Sequence, residues 1–295
     1  MAPILRRSFS IRPPSKARRP PLRAEAFVCP FNCGAFSCKQ TGYHVRALTR
    51  INSDTEFLAK HDVEIVNGDV QDRDSLIAMM KGCQHVVHAA AFFRFWGDDN
   101  YFEQVNVHGT VNVLEAAVRR GVEKFIHIST VAVIGIPNGN IIDESYPCEP
   151  VDSYQKSKLY AEKMVKMYND GSMLPSIILR PGAFYGPWSH YAWNRLFFED
   201  PMRKLLIQID GGRHLTFPVY VPDVARSILL ALDRGKTGEI YNISGDPLTH
   251  ADANQIISDL AGLPSFRLNI PSQWMRWFAN YQTRAAKRNG KEPYY

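Results

Sequence analysis

From residue 43 onward the chain repeats one pattern, a short apolar run followed by a stretch with helical periodicity. The runs are Tyr43–Leu48, Val63–Val66, His85–Ala89, Phe125–Ile128, Ser176–Leu179 and Glu239–Ile243. Strands this short and this apolar are buried on both faces, which is the condition of a parallel sheet covered by helices. Between them, Val107, Val111, Leu114 and Val118 recur at spacings of four, three and four and draw one apolar stripe along a helix. Gly121 ends that helix, and the next strand begins at Lys124 or Phe125. A second helix is expected from Ser153 to Tyr168, with Gly171 and Pro175 behind it. Strand–helix–strand order repeated in this way calls for right-handed crossovers. The expected fold class is therefore α/β, a doubly wound parallel sheet. After Pro181 the texture changes. Residues 182–220 are rich in aromatics, Gly and Pro and suit a smaller lobe, and Val224–Leu232 reads as a helix returning to the body.

Charge narrows the function classes. The net charge is +6, yet Arg6, Arg7, Arg12, Lys16, Arg18, Arg19 and Arg23 stand in the first 23 residues with no acid among them. Without those seven the remainder carries −1. A nucleic-acid binder needs its basic surface on the folded part, so no nucleic acid is expected as partner. The Pro-rich basic segment has little to bury and is expected to be disordered. No apolar run approaches the roughly 18 residues of a membrane span, so no membrane partner is expected either. The five cysteines are odd in number and suggest no disulfide framework. Cys29, Cys33 and Cys38, with only His44 nearby, lack an ordinary zinc spacing, and no metal is expected.

The densest chemistry lies at the start of the second helix, in Tyr154-Gln-Lys-Ser-Lys158. Positions i and i+4 share a helical face. A phenol with a pKa near ~10 is a poor base at neutral pH, and an adjacent ammonium favours the phenolate and lowers that value. Such a phenol can take a proton from an alcohol or return one to a carbonyl. In isolation the string is an exposed tyrosine and a solvated lysine. Its context argues otherwise, because Phe125-Ile-His-Ile-Ser129-Thr130 upstream is a buried strand ending in two hydroxyls. The carboxyl ends of parallel strands are where open α/β sheets bind ligands, although Ser129 and Thr130 would also serve as plain strand-end caps. Gly68-Asp69-Val70 and His88-Ala89-Ala90-Ala91 follow two other strands. Small residues there let a flat cofactor approach the backbone, and Asp69 can accept a hydrogen bond from an adenine amino group. Asn106 is polar within an apolar helix face and needs a partner once buried. A tie between two strands is as good a reading of it as catalysis.

In this order, Arg50, Asp69, His88-Ala-Ala, Val-Asn106-x-x-Gly-Thr, Ser129-Thr130, Tyr154-x-x-x-Lys158 and Arg180-Pro-Gly-Ala-Phe-Tyr-Gly-Pro187 resemble the extended short-chain dehydrogenase/reductases. The branch most similar holds the 3β-hydroxysteroid dehydrogenases, dihydroflavonol reductases and NAD-dependent epimerase/dehydratases, and the likeness covers about residues 42–270. The resemblance implies a Rossmann-like NAD(P)-binding sheet with a small C-terminal substrate lobe. The expected division is a tail over 1–25, an NAD(P)-binding domain over 26–180, and a substrate lobe over 181–295 with segments returning to the sheet. The resemblance also implies Tyr154 as acid/base, Lys158 gripping the nicotinamide ribose, and Thr130 with Ser129 orienting the substrate oxygen. Asn106 joins the catalytic set. Gly34, Arg50, Asp69, Val70, Ala89, Ala90, Ala91 and Pro181 join Lys158 in the cofactor set, and Phe92, Trp188 and Tyr191 face the substrate. A homodimer is common among such proteins.

The start departs from the family. A strand and a Gly-x-x-Gly-x-x-Gly turn, which bring backbone to the pyrophosphate at a helix N-terminus, should precede Gly42. The chain reads Ala26-Phe-Val-Cys-Pro-Phe-Asn-Cys-Gly34 instead. Phe27-Val28 is a remnant strand in this reading, Gly34 stands for the last glycine, and the first strand and glycine turn are degenerate. Three explanations stand: an altered reading frame near the start, an organelle transit segment fused to a degenerate start, and a protein that no longer holds the cofactor. The first is preferred and predicts weak dinucleotide binding.

The cofactor expected is NADP or NAD. Arg50, after the second strand, favours NADP because an arginine accommodates a 2′-phosphate. Phe184, Tyr185, Trp188, Tyr191, Trp193, Phe197 and Phe198 suit a flat apolar small-molecule substrate such as a sterol or polyphenol, or they form the core of the lobe. Arg195, Arg203 and Arg213 are the cations a nucleotide-sugar site would need. The expected function is an oxidoreductase moving a hydride between nicotinamide and a secondary alcohol or ketone. A nucleotide-sugar epimerase/dehydratase and a non-catalytic Rossmann-like protein are the alternatives. The expected location is cytoplasmic, or an organelle if the Arg/Ser-rich start is a transit segment.

Overall fold

The computed structural model describes residues 4–5, 25–28, 32–94, 97–137, 141–187, 193–265 and 267–289. Seven parallel strands form the central sheet. They are β1 (Glu25–Val28), β2 (His44–Thr49), β3 (Glu64–Asn67), β4 (His85–His88), β5 (Lys124–Ile128), β6 (Ser176–Pro181) and β7 (Ile240–Ile243). Their order across the sheet is 7-6-5-4-1-2-3. The chain therefore starts in the middle, winds out to β3, returns, and winds the other way from β4 to β7, which makes the fold doubly wound.

The six apolar runs each become one of β2 to β7, with ends shifted by a residue or two. The strand least visible in the sequence is the central one. β1 pairs with β2 on one side (Glu25 opposite His44) and with β4 on the other (Ala26 opposite His85). Backbone hydrogen bonds to two neighbours hold it in place, and its own composition contributes little signal. Near the start, Ile4–Leu5 is a two-residue strand parallel to Ile141–Ile142.

Helices cover both faces. On one lie α1 (Asn32–Gln40), α2 (Glu56–Lys60) and α6 (Val221–Arg234). Their buried Ala35, Cys38, Leu58, Val224 and Ile228 pack against Val45, Ile126, Ile177 and Leu179 of the strands. On the other lie α3 (Arg73–Met79), α4 (Gly109–Arg120) and α5 (Ser153–Asp170), where Leu76, Val113, Leu114 and Val165 meet Val86, Phe125 and Ile178. Adjacent strand residues thus go to opposite cores, Phe125 to one and Ile126 to the other, as the pleat requires. Gly121 ends α4 in the left-handed conformation, φ 67°, where a side chain would be strained. Cys33 and Cys38 are free buried thiols of α1, and among the described residues no cluster of ligands could hold a metal.

The C-terminal lobe is assembled from pairs of short strands. Ala183–Tyr185 lies parallel to Pro218–Tyr220, Ile207–Ile209 lies parallel to Leu268–Ile270, and Leu215–Thr216 lies antiparallel to Leu248–Thr249. At Gly182 the chain leaves the sheet so close to the next segment that a Cβ would collide with the Phe217 carbonyl oxygen. Two helices complete the lobe, α7 (His250–Ala261), opened by a Thr249–Asp252 capping box, and α8 (Ser272–Asn289). Trp193 and Phe197 stack at 4.2 Å and are buried with Ala253 and Ile257 of α7. These two aromatics are lobe core. Trp188 and Tyr191 lie outside the described residues.

Candidate active site

Helix α5 is aimed by its cap. The Asp152 side chain accepts a hydrogen bond from the Gln155 amide at 2.8 Å, satisfying a free amide of the first turn. Tyr154, Lys158 and Glu162 then follow at spacings of four along one face. Lys158 is 2% exposed, and its Nζ donates to the Ile128 carbonyl at 2.7 Å. Ile128 is the last residue of β5, and Ser129 and Thr130 come next in the chain. One hydrogen bond therefore ties the Tyr154/Lys158 face of the helix to the hydroxyl-bearing end of the strand.

Ser129 is buried, its amide donates to the Leu179 carbonyl at 2.7 Å, and its Oγ is a buried atom without a partner. The Thr130 hydroxyl accepts from the Ala132 amide at 3.2 Å and caps the 3₁₀ turn Val131–Ile134. The strand-end cap and the substrate-orienting hydroxyl are thus divided between neighbours. Thr130 does the capping with a lone pair, and Ser129 keeps an uncommitted hydroxyl. The Tyr154 ring meets Phe93 edge-on at 4.9 Å and Phe102 at 6.4 Å.

The electrostatics reverse one expectation. Burial raises the Tyr154 phenol above its ordinary value, and the Asp152 carboxylate adds to the rise. The Lys158 ammonium is held by the Ile128 carbonyl. Lys158 is itself pushed down to about 8 by burial, an effect that the Glu162 carboxylate opposes. Glu162 in turn forms a two-point fork with Arg180 of β6, Nε to Oε1 at 2.9 Å and Nη2 to Oε2 at 2.6 Å, with both side chains at most 4% exposed. Arg180 also reaches the Cys148 sulfur at 3.4 Å. His88 and His127 stand side by side on β4 and β5, ring centres 5.4 Å apart. Burial, and then the Lys158 charge, keeps both neutral, with His88 pushed down to about 3.

Asn106 is buried in a π-helical turn, Glu103–His108, and its side chain makes three hydrogen bonds. Oδ1 accepts from the Phe92 amide at 2.6 Å, and Nδ2 donates to the Phe92 carbonyl at 3.1 Å and to Ser157 Oγ at 2.9 Å. Ser157 Oγ donates to the Tyr154 carbonyl at 2.8 Å. Asn106 therefore ties the loop after β4 to the first turn of α5, where two strands had been expected as its partners.

A cleft of about 140 Å³ opens across the carboxyl ends of β2, β3 and β4. Its walls include Arg50, Asp69, Val70, Ala90, Ala91 and Phe92. Asp69 Oδ1 accepts from the Gln71 amide at 2.9 Å. Phe92, expected to face substrate, is placed in this cleft wall, with its ring against Tyr101 and Phe102. Ala89 packs onto the core instead. Pro181 ends β6 opposite Ile243. Gly34 is buried in the first turn of α1, beside Cys33, which packs on Val221 and Ala225. It is thus part of the helix. Cys29, Pro30 and Phe31, which link β1 to α1, lie outside the described residues.

A dinucleotide fits both ends of this arrangement. The cleft beside Arg50 and Asp69 suits the adenosine. The Lys158 ammonium, with one of its three donors on the Ile128 carbonyl, and the Ser129 hydroxyl suit the nicotinamide riboside and the reacting oxygen. The sequence reading passed over the aromatic neighbours Phe93 and Phe102 and the Glu162–Arg180 fork. Glu162 did leave a signal: an acid one turn beyond Lys158 on the inward face must find a cation.

The family described as NAD dependent epimerase/dehydratase matches residues 35–244, beginning one residue past Gly34. The chain is similar to 4-hydroxy-2-methyl-3-oxo-4-farnesyl-3,4-dihydroquinoline-1-oxide ketoreductase of Stigmatella aurantiaca, 30% identical over 239 residues that cover 80% of this chain and 71% of that protein. It is similar to sterol demethylase protein B of Methylococcus capsulatus, 32% identical over 248 residues, 81% of this chain and 73% of the other. Among solved structures it is similar to DesIV, a dTDP-glucose 4,6-dehydratase of Streptomyces venezuelae with NAD and TYD bound, at a TM-score of 0.76 and 26% identity, covering 84% of each chain. No described helix is long and apolar enough to cross a membrane.

Proposed function

The chain belongs to the NAD-dependent epimerase/dehydratase family, and on that premise we propose that it is an NADP(H)-preferring oxidoreductase that interconverts a ketone and a secondary alcohol on a flat, apolar small molecule. The observation that carries this reading is the Lys158–Ile128 hydrogen bond, which brings Tyr154, Lys158 and the Ser129-Thr130 hydroxyls to one strand end. A bound nicotinamide supplies or takes the hydride. The chain's residues do the rest. Ser129 donates to the substrate oxygen and holds it, with Thr130 beside it. Tyr154 gives that oxygen a proton during reduction or removes one during oxidation. Lys158 holds the ribose and balances charge on the phenolate. The raised phenol keeps Tyr154 protonated at neutral pH, so the resting site is loaded for reduction. Arg50, on the cleft wall, is the group that would receive a 2′-phosphate.

A nucleotide-sugar dehydratase is the second reading, favoured by the likeness to the dTDP-glucose 4,6-dehydratase. It needs free cations for a diphosphate. Arg195 lies 4.0 Å from Asp200, and Arg213 donates to the Asp210 carbonyl at 3.0 Å, so two of the three candidates are already engaged. The names of the ketoreductase and the sterol protein support an apolar substrate for this chain as well.

The test is Tyr154→Phe against a panel of sterol, prenylated and polyphenolic ketones, followed by NADPH oxidation. Loss of about 10²–10⁴ in turnover, the usual contribution of a positioned acid/base, with NADPH affinity kept, is the expected result. Wild-type activity in the variant would remove Tyr154 from the mechanism. Consumption of a nucleotide sugar with no net change in NADPH would favour the second reading. A flat dinucleotide titration of the folded chain would sink both.

A further inference from the structure

Helix α8 shows solvent the wrong side for a soluble protein's surface. Trp274, Trp277, Phe278 and Tyr281 fall at i, i+3, i+4 and i+7, one stripe of a helix. They are 67%, 66%, 41% and 60% exposed. Met275, Ala279 and Gln282, on another side of the helix, are half-buried. Its first turn is tied down separately, where the Ser272 amide donates to Asp210 Oδ1 at 2.8 Å. A large apolar stripe on a surface marks an interaction site.

The charges say with what. Residues 272–289 contain Arg276, Arg284, Lys287 and Arg288 and not one acid. Trp and Tyr beside Arg and Lys on one amphipathic helix is the composition that lies in a bilayer interface, where indole and phenol rings sit at headgroup depth and the cations meet anionic lipid. A second copy docked by the same face is disfavoured. A two-fold contact apposes identical patches and would set this acid-free basic helix against its twin. An interfacial helix also needs no membrane-spanning length, so the lack of a described spanning helix does not bear on it. We propose that the C-terminal lobe docks on an anionic lipid surface through the Trp274/Trp277/Phe278/Tyr281 stripe of α8, with Arg284 continuing the stripe toward lipid headgroups. The contact stands apart from the substrate reading and holds whichever small molecule the active site takes.

The experiment is co-sedimentation and tryptophan fluorescence of the full chain with vesicles of phosphatidylcholine alone and of phosphatidylcholine mixed with phosphatidylserine. Binding to the mixed vesicles, a blue shift of the emission, and release by salt are expected. Trp274→Ala with Trp277→Ala abolishes all three, and Arg284→Gln weakens binding about fivefold, the equivalent of ~1 kcal/mol per interfacial cation. Both variants change exposed side chains, and unchanged circular dichroism and thermal melting confirm that they are folded. No binding to the mixed vesicles overturns the proposal. So does binding that the double variant leaves intact, or a concentration-dependent dimer that the double variant dissolves.

Discussion

The two ends of the candidate cofactor site are built to different standards. At the β5–α5 end three polar side chains have partners of fixed identity, Lys158 on the Ile128 carbonyl, Asn106 on Phe92 and Ser157, and Glu162 on Arg180, while Ser129 Oγ and both His127 ring nitrogens have none. At the β1–α1 end a four-residue strand passes through three residues into a nine-residue helix, and Gly34 is inside that helix. The family match begins just beyond it, at residue 35. The difference separates two demands. Chemistry needs side chains within a few tenths of an ångström of their places, whereas pyrophosphate anchorage needs backbone free of Cβ atoms. The second demand falls between β1 and the first turn of α1, where the sequence carries a single glycine, Gly34.

The largest effect should come from breaking the rigid end at its ion pair. Glu162→Gln leaves Arg180 buried without its counter-charge, and losing one partner of a buried pair costs about 3–5 kcal/mol. Chemical denaturation of the dinucleotide-free chain reads this directly. Replacing both partners with methionine should recover most of the loss, since the desolvation penalty then disappears for both. A Glu162→Gln protein as stable as the parent would mean that the fork is ornamental and that this end is less tightly built than its geometry indicates.

A smaller effect tests the other end. Arg50→Ala should cost NADPH about tenfold in affinity, one charge-assisted hydrogen bond's worth or ~1.4 kcal/mol, and leave NADH unchanged. Parallel fluorescence titrations give both numbers. Equal losses for the two cofactors would show that Arg50 shapes the cleft without reading the 2′-position. No binding of either by the parent would show that the recast β1–α1 turn has disabled anchorage, even with the adenosine cleft and the nicotinamide end formed.

What the sequence revealed follows from what kinds of force act at each place. Strands β2 to β7 were legible because each is an apolar run whose burial on both faces is its own signal. Strand β1 was legible only as the remnant Phe27-Val28, because it is held by main-chain hydrogen bonds to β2 and β4, and main chain is the same in every sequence. The same cause hid the partner of Lys158. The spacing of Tyr154 and Lys158 announced a shared face, but the acceptor is a carbonyl, and no residue type encodes one. The spacing pointed to a lowered Tyr154 phenol, whereas burial and the Asp152 carboxylate push it up. The aromatics of residues 184–198 showed the reverse problem. Composition could not distinguish a lining from a core; Trp193 and Phe197 stack within the core, whereas Tyr185 lines a cleft beside Tyr220 and Asn242.

The smallest predicted effect bears on Lys158 alone and separates catalysis from stability by sign. Burial brings this lysine down to about 8, against ~10.4 for a free one. As pH rises through about 8 the folded protein loses the ammonium that holds ribose and supports the phenolate, so kcat/KM should be halved near that pH and keep falling above it. Stability runs the other way. Between about 8 and the ordinary lysine value the unfolded chain binds the extra proton, and stability rises with pH wherever the unfolded state holds more protons. Lys158's contribution to unfolding free energy should therefore grow across the same window in which activity is lost. A pH–rate profile set beside denaturation midpoints, parent against Lys158→Met, isolates that contribution. If activity and the Lys158-dependent part of stability fell together above pH 8, the alkaline limb would report loosening of the fold, and the buried ammonium could not be what the β5–α5 end is built to hold.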